Sequence, residues 1–362
     1  MVDGQLRSLS LRQAGARDGD KRRPSDRRTG TLLGGEIRMV GSFKKMIRDV
    51  VGRCAAPLLV PAILLLHACA AGTHAGGLAE SADIEVSLLP IQTIDGSSAF
   101  FEIDGQRRML GFVSAVSASG GYVFLVDSTL PGLLRVEPVT NEIHFLRSLR
   151  DPVTPGVYVR PDLVVYVVDR YNRAVVELDE SGHERHVFQE PELVAMPVDV
   201  AMTGWGSSLV VADELRQRLV LFESFSTFMG VLPSSLAPVS IASSISAIAA
   251  TDQYVFVLDS ASREVTQLDL NGRFVATYGE DTLFAPVAMT VDECNRIFVA
   301  DGHPGGLFVT SPDFYGSSAR AALPTEIVSA ITDLWIDGND LYVAAGVAGV
   351  WVMSIEPGCF AP

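Results

Sequence analysis

Lysine is almost missing from this 362-residue sequence: Lys21, Lys44 and Lys45 are the only three, and none follows. Residues 69–362 hold 15 Lys/Arg against 37 Asp/Glu, a net of −22, whereas residues 1–68 hold 13 against 6, a net of +7. A body so poor in clustered cations excludes nucleic acid as a ligand, because displacing counterions from phosphates needs such clusters. No second long apolar run follows the one that ends near Leu66, which excludes a multi-span membrane protein. There is no Gly-x-Ser-x-Gly elbow, phosphate-binding loop or His-Glu-x-x-His helix, the patterns tied to acyl transfer, nucleotide binding and zinc chemistry. What the sequence does have is 48% hydrophobic residues. That is too many for a disordered chain, and residues 69–362 are enough for a large core.

The charge break falls on a sequence break. A short basic stretch, Lys44 to Arg53, precedes Cys54-Ala-Ala-Pro-Leu-Leu-Val-Pro-Ala-Ile-Leu-Leu-Leu66 and then His67-Ala68-Cys69. Basic region, apolar core and small-residue boundary are the parts of an export signal, and the prolines leave too short a run to span a bilayer. Leu66-His67-Ala68-Cys69 resembles the processing site of bacterial lipoproteins. The resemblance implies that Cys69 becomes the lipidated N-terminus, and that Ala70 directs the protein to the outer membrane, facing the periplasm. The expected organisation is therefore a structureless or over-extended start (1–38), a lipoprotein signal peptide (39–68), a tether (69–83) and a folded body (84–362). Of the four cysteines, Cys294 and Cys359 remain in that body; in an oxidising compartment they either pair or stay as free thiols.

The body repeats. Tyr122-Val-Phe-Leu-Val-Asp127, Val164-Val-Tyr-Val-Val-Asp169, Ser208-Leu-Val-Val-Ala-Asp213, Tyr254-Val-Phe-Val-Leu-Asp259 and Arg296-Ile-Phe-Val-Ala-Asp301 are followed by Asp340-Leu-Tyr-Val-Ala-Ala345, with ends spaced 42, 44, 46, 42 and 44 residues apart. Each run is preceded by an apolar strand with small residues and followed by a polar turn and further strands. Four short strands per repeat, bounded by Gly, Asp and Asn turns, describe one propeller blade, whereas a β-sandwich would impose no fixed period. The expected fold is all-β, a six-bladed propeller. Its last blade lacks an outer strand, so residues 84–94 or 98–103 are expected to supply it and close the ring, since an open blade edge invites aggregation.

Asp169, Asn172 and Asp179 in the second repeat, and Asp292 with Ala300-Asp301 in the fifth, resemble the NHL-repeat family of six-bladed propellers. The third repeat keeps Asp213 and Arg218 but has Arg216 where the family has Asn. The resemblance covers roughly residues 84–360 and speaks to architecture more than to activity.

The repeated strand-ending aspartates read as fold determinants, because such an Asp accepts hydrogen bonds from backbone N–H groups of the next turn. Positions that break the symmetry are more informative. Aligning the inner strands gives Ser114, Gly156, Asp199, Ala247, Ala288 and Asp333, placing two carboxylates on opposite blades. They are the candidate site for a cation, calcium or another divalent ion, or for a cationic ligand; otherwise they are solvated at the tunnel mouth. The turns on the same face display Arg170, Tyr171, Asn172, Glu214, Arg216, Ser260 and His303, residue types that carry binding energy. The expected function is a lipid-anchored binding or scaffold module without a cofactor, for a protein, peptide or glycan of the cell envelope. The alternative is a metal-dependent hydrolase or lyase working at the tunnel.

Overall fold

A computed structural model describes residues 86–358, except 97–99, 104, 151–155, 191, 204–206, 224–226, 233–243, 303–305 and 312–317. The export signal, Cys69, the tether, His303 and Cys359 lie outside the described residues. Cys294 is disulfide-bonded.

Six antiparallel sheets form the blades. Blade 1 uses Val113–Ser119, Tyr122–Asp127, Gly132–Glu137 and Glu142–Ser148 from the axis outwards. Blades 2 to 5 repeat that order, their inner strands being Val157–Val159, Pro197–Thr203, Ile245–Ala250 and Pro286–Val291. Blade 6 has Asp333–Asp337, Asp340–Ala344 and Val350–Glu356. Its fourth strand is Ser87–Ile94, paired antiparallel from Ser87 opposite Glu356 to Ile94 opposite Val350. The start of the domain therefore closes the ring, as the missing outer strand required.

Residues 98–103 do not serve that purpose. Phe100–Ile103 instead forms a hairpin with Gln106–Met109 and touches the outer strand of blade 1 in parallel at Phe100 and Glu142. The ladder of blade 6 is already complete with Ser87–Ile94, so the second segment is free to cover the next blade's edge.

Alternation along each strand sends one row of side chains towards each neighbouring blade. Six apolar clusters result, one between each adjacent pair. Between blades 6 and 1, Ile94, Val113, Leu125, Ala344 and Val350 are buried together; between blades 2 and 3, Tyr166, Phe188 and Phe222 stack in sequence at centroid separations of 5.9 and 5.7 Å.

The strand-ending aspartates work as backbone acceptors. Asp127 is fully buried and accepts N–H bonds from Gly111 (2.6 Å), Thr129 (2.8 Å) and Leu130 (3.1 Å). Asp213 serves Ala195 and Met196, Asp259 serves Ser244, Ala261 and Ser262, and Asp301 serves Phe284 and Ala285. Each ties the segment entering its inner strand to the turn or strand end where the Asp sits. Each such bond is worth about 1 kcal/mol and fixes where the strand begins.

Candidate functional site

The inner strands line an axial tunnel, and small residues let them approach. At Gly156 a Cβ would lie 2.3 Å from Asp199 Oδ1 and 2.6 Å from Asp199 Cα. Blade 2 is thus pressed directly against the carboxylate of blade 3, and no side chain fits at 156.

Four inner strands carry a bulge near their start, and in blade 1 the expected position falls on the bulge residue itself. In blade 3, Pro197 opposes Asp213 and Asp199 opposes Ala212; in blade 1, Val113 opposes Asp127 and Ala115 opposes Val126. The residue equivalent to Asp199 in blade 1 is therefore Ala115, not Ser114. Ser114 is the bulge residue, and its hydroxyl donates to the Val126 carbonyl at 3.3 Å. The other assignments stand: Ala247 opposes Leu258, Ala288 opposes Ala300 and Asp333 opposes Ala344.

Asp199 and Asp333 sit three blades apart with the same bonding. Asp199 Oδ1 accepts from Val200 N (2.8 Å) and Oδ2 from Ile248 N in the next blade (2.7 Å). Asp333 Oδ1 accepts from Leu334 N (2.8 Å) and Oδ2 from Val116 N in the next blade (2.9 Å). Both side chains are half-buried and line the tunnel between the two cavities. Desolvation pushes the Asp199 carboxyl up to about 7, only partly offset by its backbone donors. Desolvation, reinforced by the charge of Asp199, pushes Asp333 up to about 8. A carboxyl pair that holds and releases a proton near neutrality is suited to acid–base work or to receiving a cation. Among the described residues no group of three or more His, Cys, Asp or Glu is arranged around a metal position.

The two carboxylates divide the tunnel, each lining a cavity on either side. The cavity of about 400 Å³ opens towards the turns that follow the second strands, and Arg170, Glu214, Ser244, Ser246, Ser260 and Thr332 are among its lining residues. The cavity of about 180 Å³ on the other side is bounded by Tyr158 and Trp335. Those rings meet edge-on at 5.2 Å, and Trp335 Nε1 donates to the Ala118 carbonyl in blade 1 (2.8 Å).

Of the expected loop-face residues, Arg170, Glu214 and Ser260 reach the larger cavity, with Arg170 Nη2 3.5 Å from Glu214 Oε2. Tyr171 is exposed on the rim beneath the Arg150 guanidinium, 5.0 Å from its ring centroid. Asn172 is turned into its own turn, where its side chain and N–H both bond to Asp169. Arg216 lies 3.8 Å from buried Asp213.

Sequence reasoning placed Tyr171 on this face but missed the other apolar residues there. Phe112, Tyr171, Leu215, Phe284 and Val347 are all exposed, at 40, 60, 66, 50 and 78%. They come from five blades and stand on the turns and strand entries around the larger cavity. Three of them, Tyr171, Leu215 and Val347, occupy the same place, two residues after the last residue of the repeated run (Asp169, Asp213 and Ala345). That repeated position was the available signal.

No protein-family model matches the chain, and no curated protein matches it either. Solved structures share the architecture. One is a structural genomics protein of unknown function from Bacteroides thetaiotaomicron VPI-5482, with TM-score 0.59 and 14% identity over 75% of this chain and 77% of that one. Another is a catalytically inactive virginiamycin B lyase from Staphylococcus aureus with quinupristin, at TM-score 0.53 and 12% identity over 75% and 99%. The WD40 β propeller domain of Doa1 matches at TM-score 0.53 and 12% identity over 74% and 92%. The shared feature is the propeller. Lyase and WD40 domain alike carry it, and a fold does not fix an activity.

Proposed function

We propose that this protein is a lipid-anchored recognition module of a bacterial cell envelope, placed at the outer membrane facing the periplasm. It captures a protein, peptide or glycan partner over the mouth of the larger cavity. The observation that carries this reading is the ring of exposed Phe112, Tyr171, Leu215, Phe284 and Val347 around a polar pit. Exposed apolar side chains gathered on one face of a rigid scaffold mark interaction surfaces, and Tyr and Arg are common anchors there. The NHL-like repeats and the lipoprotein-like Leu66-Ala68-Cys69 boundary support the same reading.

Arg170→Ala with Tyr171→Ala should weaken capture of envelope partners roughly tenfold or more, the loss expected of two anchor residues. Phe274→Ser, on the exposed outer strand of blade 4, should leave capture unchanged. Equal capture by all three proteins would remove the mouth from the binding surface. Anchoring has its own test. Cys69→Ser should abolish labelling by a radioactive fatty acid and move the protein out of the membrane fraction; persistent labelling would refute the assignment.

A further inference from the structure

We propose that the larger cavity receives an organic ammonium group, the side chain of a lysine on a peptide partner, seated against Asp199 and Asp333 while the apolar rim covers the neighbouring partner residues. The inference rests on the reading of this mouth as a recognition surface and names the chemistry at its centre.

Charge complementarity within an enclosed cavity is the first argument. The larger cavity is lined by three carboxylates, Asp199, Asp333 and Glu214, and by one cation, Arg170. Arg170 is paired with Glu214 at the mouth, and among the described lining residues it is the one cation that shares the cavity with the aspartate pair. Among the described residues lining the smaller cavity, Tyr158 is the one ionisable group besides the pair. Each aspartate is held by two backbone N–H groups and by no side chain. These bonds fix where the oxygens stand but bring no positive charge.

Shape and surroundings supply the second argument. About 400 Å³ admits an extended alkyl chain, and small-ligand pockets begin near that size. Ser244, Ser246, Ser260 and Thr332 offer hydroxyl oxygens to an ammonium's three donors. Among the described residues no three His, Cys, Asp or Glu converge as a metal would require. The rim is broad and apolar, contributed by five blades, which suits a peptide flanking the lysine better than an isolated small amine.

Near neutral pH the empty pair retains protons because its carboxyls are buried. An arriving ammonium favours the ionised forms, so binding should release a proton to solvent. The charged and titratable groups facing the pair are Glu214 and Arg170 at the mouth and Tyr158 on the far side.

The test uses the folded protein and two pools of N-acetylated, C-amidated pentapeptides with randomised flanks, one centred on lysine and one on acetyl-lysine. The lysine pool should be retained about tenfold or more over the acetyl-lysine pool, the scale on which a buried charge partner discriminates. A retained lysine peptide, titrated at pH 7.5 in buffers of different ionisation enthalpy, should release up to about one proton on binding. Asp199→Asn with Asp333→Asn should remove the preference, and the proton measurement on the unaltered protein holds even if that variant folds poorly. Equal retention of both pools, no retention of either, or no proton release would overturn the inference. If n-butylammonium alone binds as tightly as the peptide, the peptide partner is wrong. Should the lysine preference fail while Arg170→Ala/Tyr171→Ala still loses partner capture, only the ammonium assignment falls; if both fail, the mouth is not the recognition surface.

Discussion

A protein shortened to begin at Asp95 is expected to lose its cooperative melt or to melt roughly 10–20 °C lower, on the scale of 2–4 °C per kcal/mol for domains of this size. The deletion removes Ser87–Ile94, the fourth strand of blade 6. Ile94 is fully buried between blades 6 and 1, and Val86 and Leu88 pack between blades 5 and 6. Burying one such aliphatic side chain is worth about 1.5–3 kcal/mol, and each ladder hydrogen bond adds about 1 kcal/mol. The deletion also leaves Val350–Glu356 as an unpaired edge, so aggregation on heating should rise. Thermal denaturation followed by circular dichroism reads the first effect and light scattering the second. A synthetic peptide spanning Ile84 to Gly96, added in excess, should restore part of the lost stability. Identical melting with and without the strand would mean that the ring does not depend on its closure.

The second large effect is on pH. Asp199 and Asp333 have carboxyls raised to about 7 and about 8 by burial, against about 3.9 in an unfolded chain. Between those values the folded state holds protons that the unfolded state has released, so stability falls as pH rises. The loss begins above about pH 4, is complete for Asp199 near 7 and for Asp333 near 8, and amounts to several kcal/mol on the scale of about 1.4 per pKa unit. Asp179 and Asp269, held low by backbone N–H bonds, act in the opposite direction at more acidic pH. A comparison therefore isolates the pair. Asp199→Asn with Asp333→Asn abolishes the titration, but an amide nitrogen cannot accept the backbone N–H that one carboxylate oxygen accepted. Each such loss costs about 1–3 kcal/mol at every pH. The double variant should be less stable than the parent at pH 5 and should gain on it steadily up to pH 9. Parallel stability curves across that range would show that the two carboxyls titrate normally.

The period of the repeat was legible because it was written in whole residues. Five of the six blades end the second strand in an Asp, and an Asp tying the entry of its own blade's inner strand is a local device visible as a recurring letter. The opposition of Asp199 and Asp333 was legible for the same reason, since a fixed period places blades 3 and 6 across the axis. The position in blade 1 was not: counting from Gly156 landed on the bulge residue Ser114, next to Ala115, which holds the equivalent place opposite Val126. The hairpin Phe100–Met109 also escaped, having no counterpart in the other repeats from which it could be inferred. The apolar rim was overlooked for a different reason. Leu215 and Val347 sit in turns, where polar residues were being sought, and their exposure depends on how the turns project from the ring.

Ser87 and Glu356 lie side by side, yet they are 269 residues apart in the chain. The strand made first must wait for the strand made last. While five blades emerge from a ribosome, their sheets can form and stack in order, but Ser87–Ile94 has no partner until Val350–Glu356 is made. Completion of the ring must therefore await the sixth blade, and a chain stopped short of Val350–Glu356 is left with a free edge. The same adjacency makes the order of blades arbitrary: joining the two ends and cutting the chain between other blades would preserve every contact while giving the protein a new beginning.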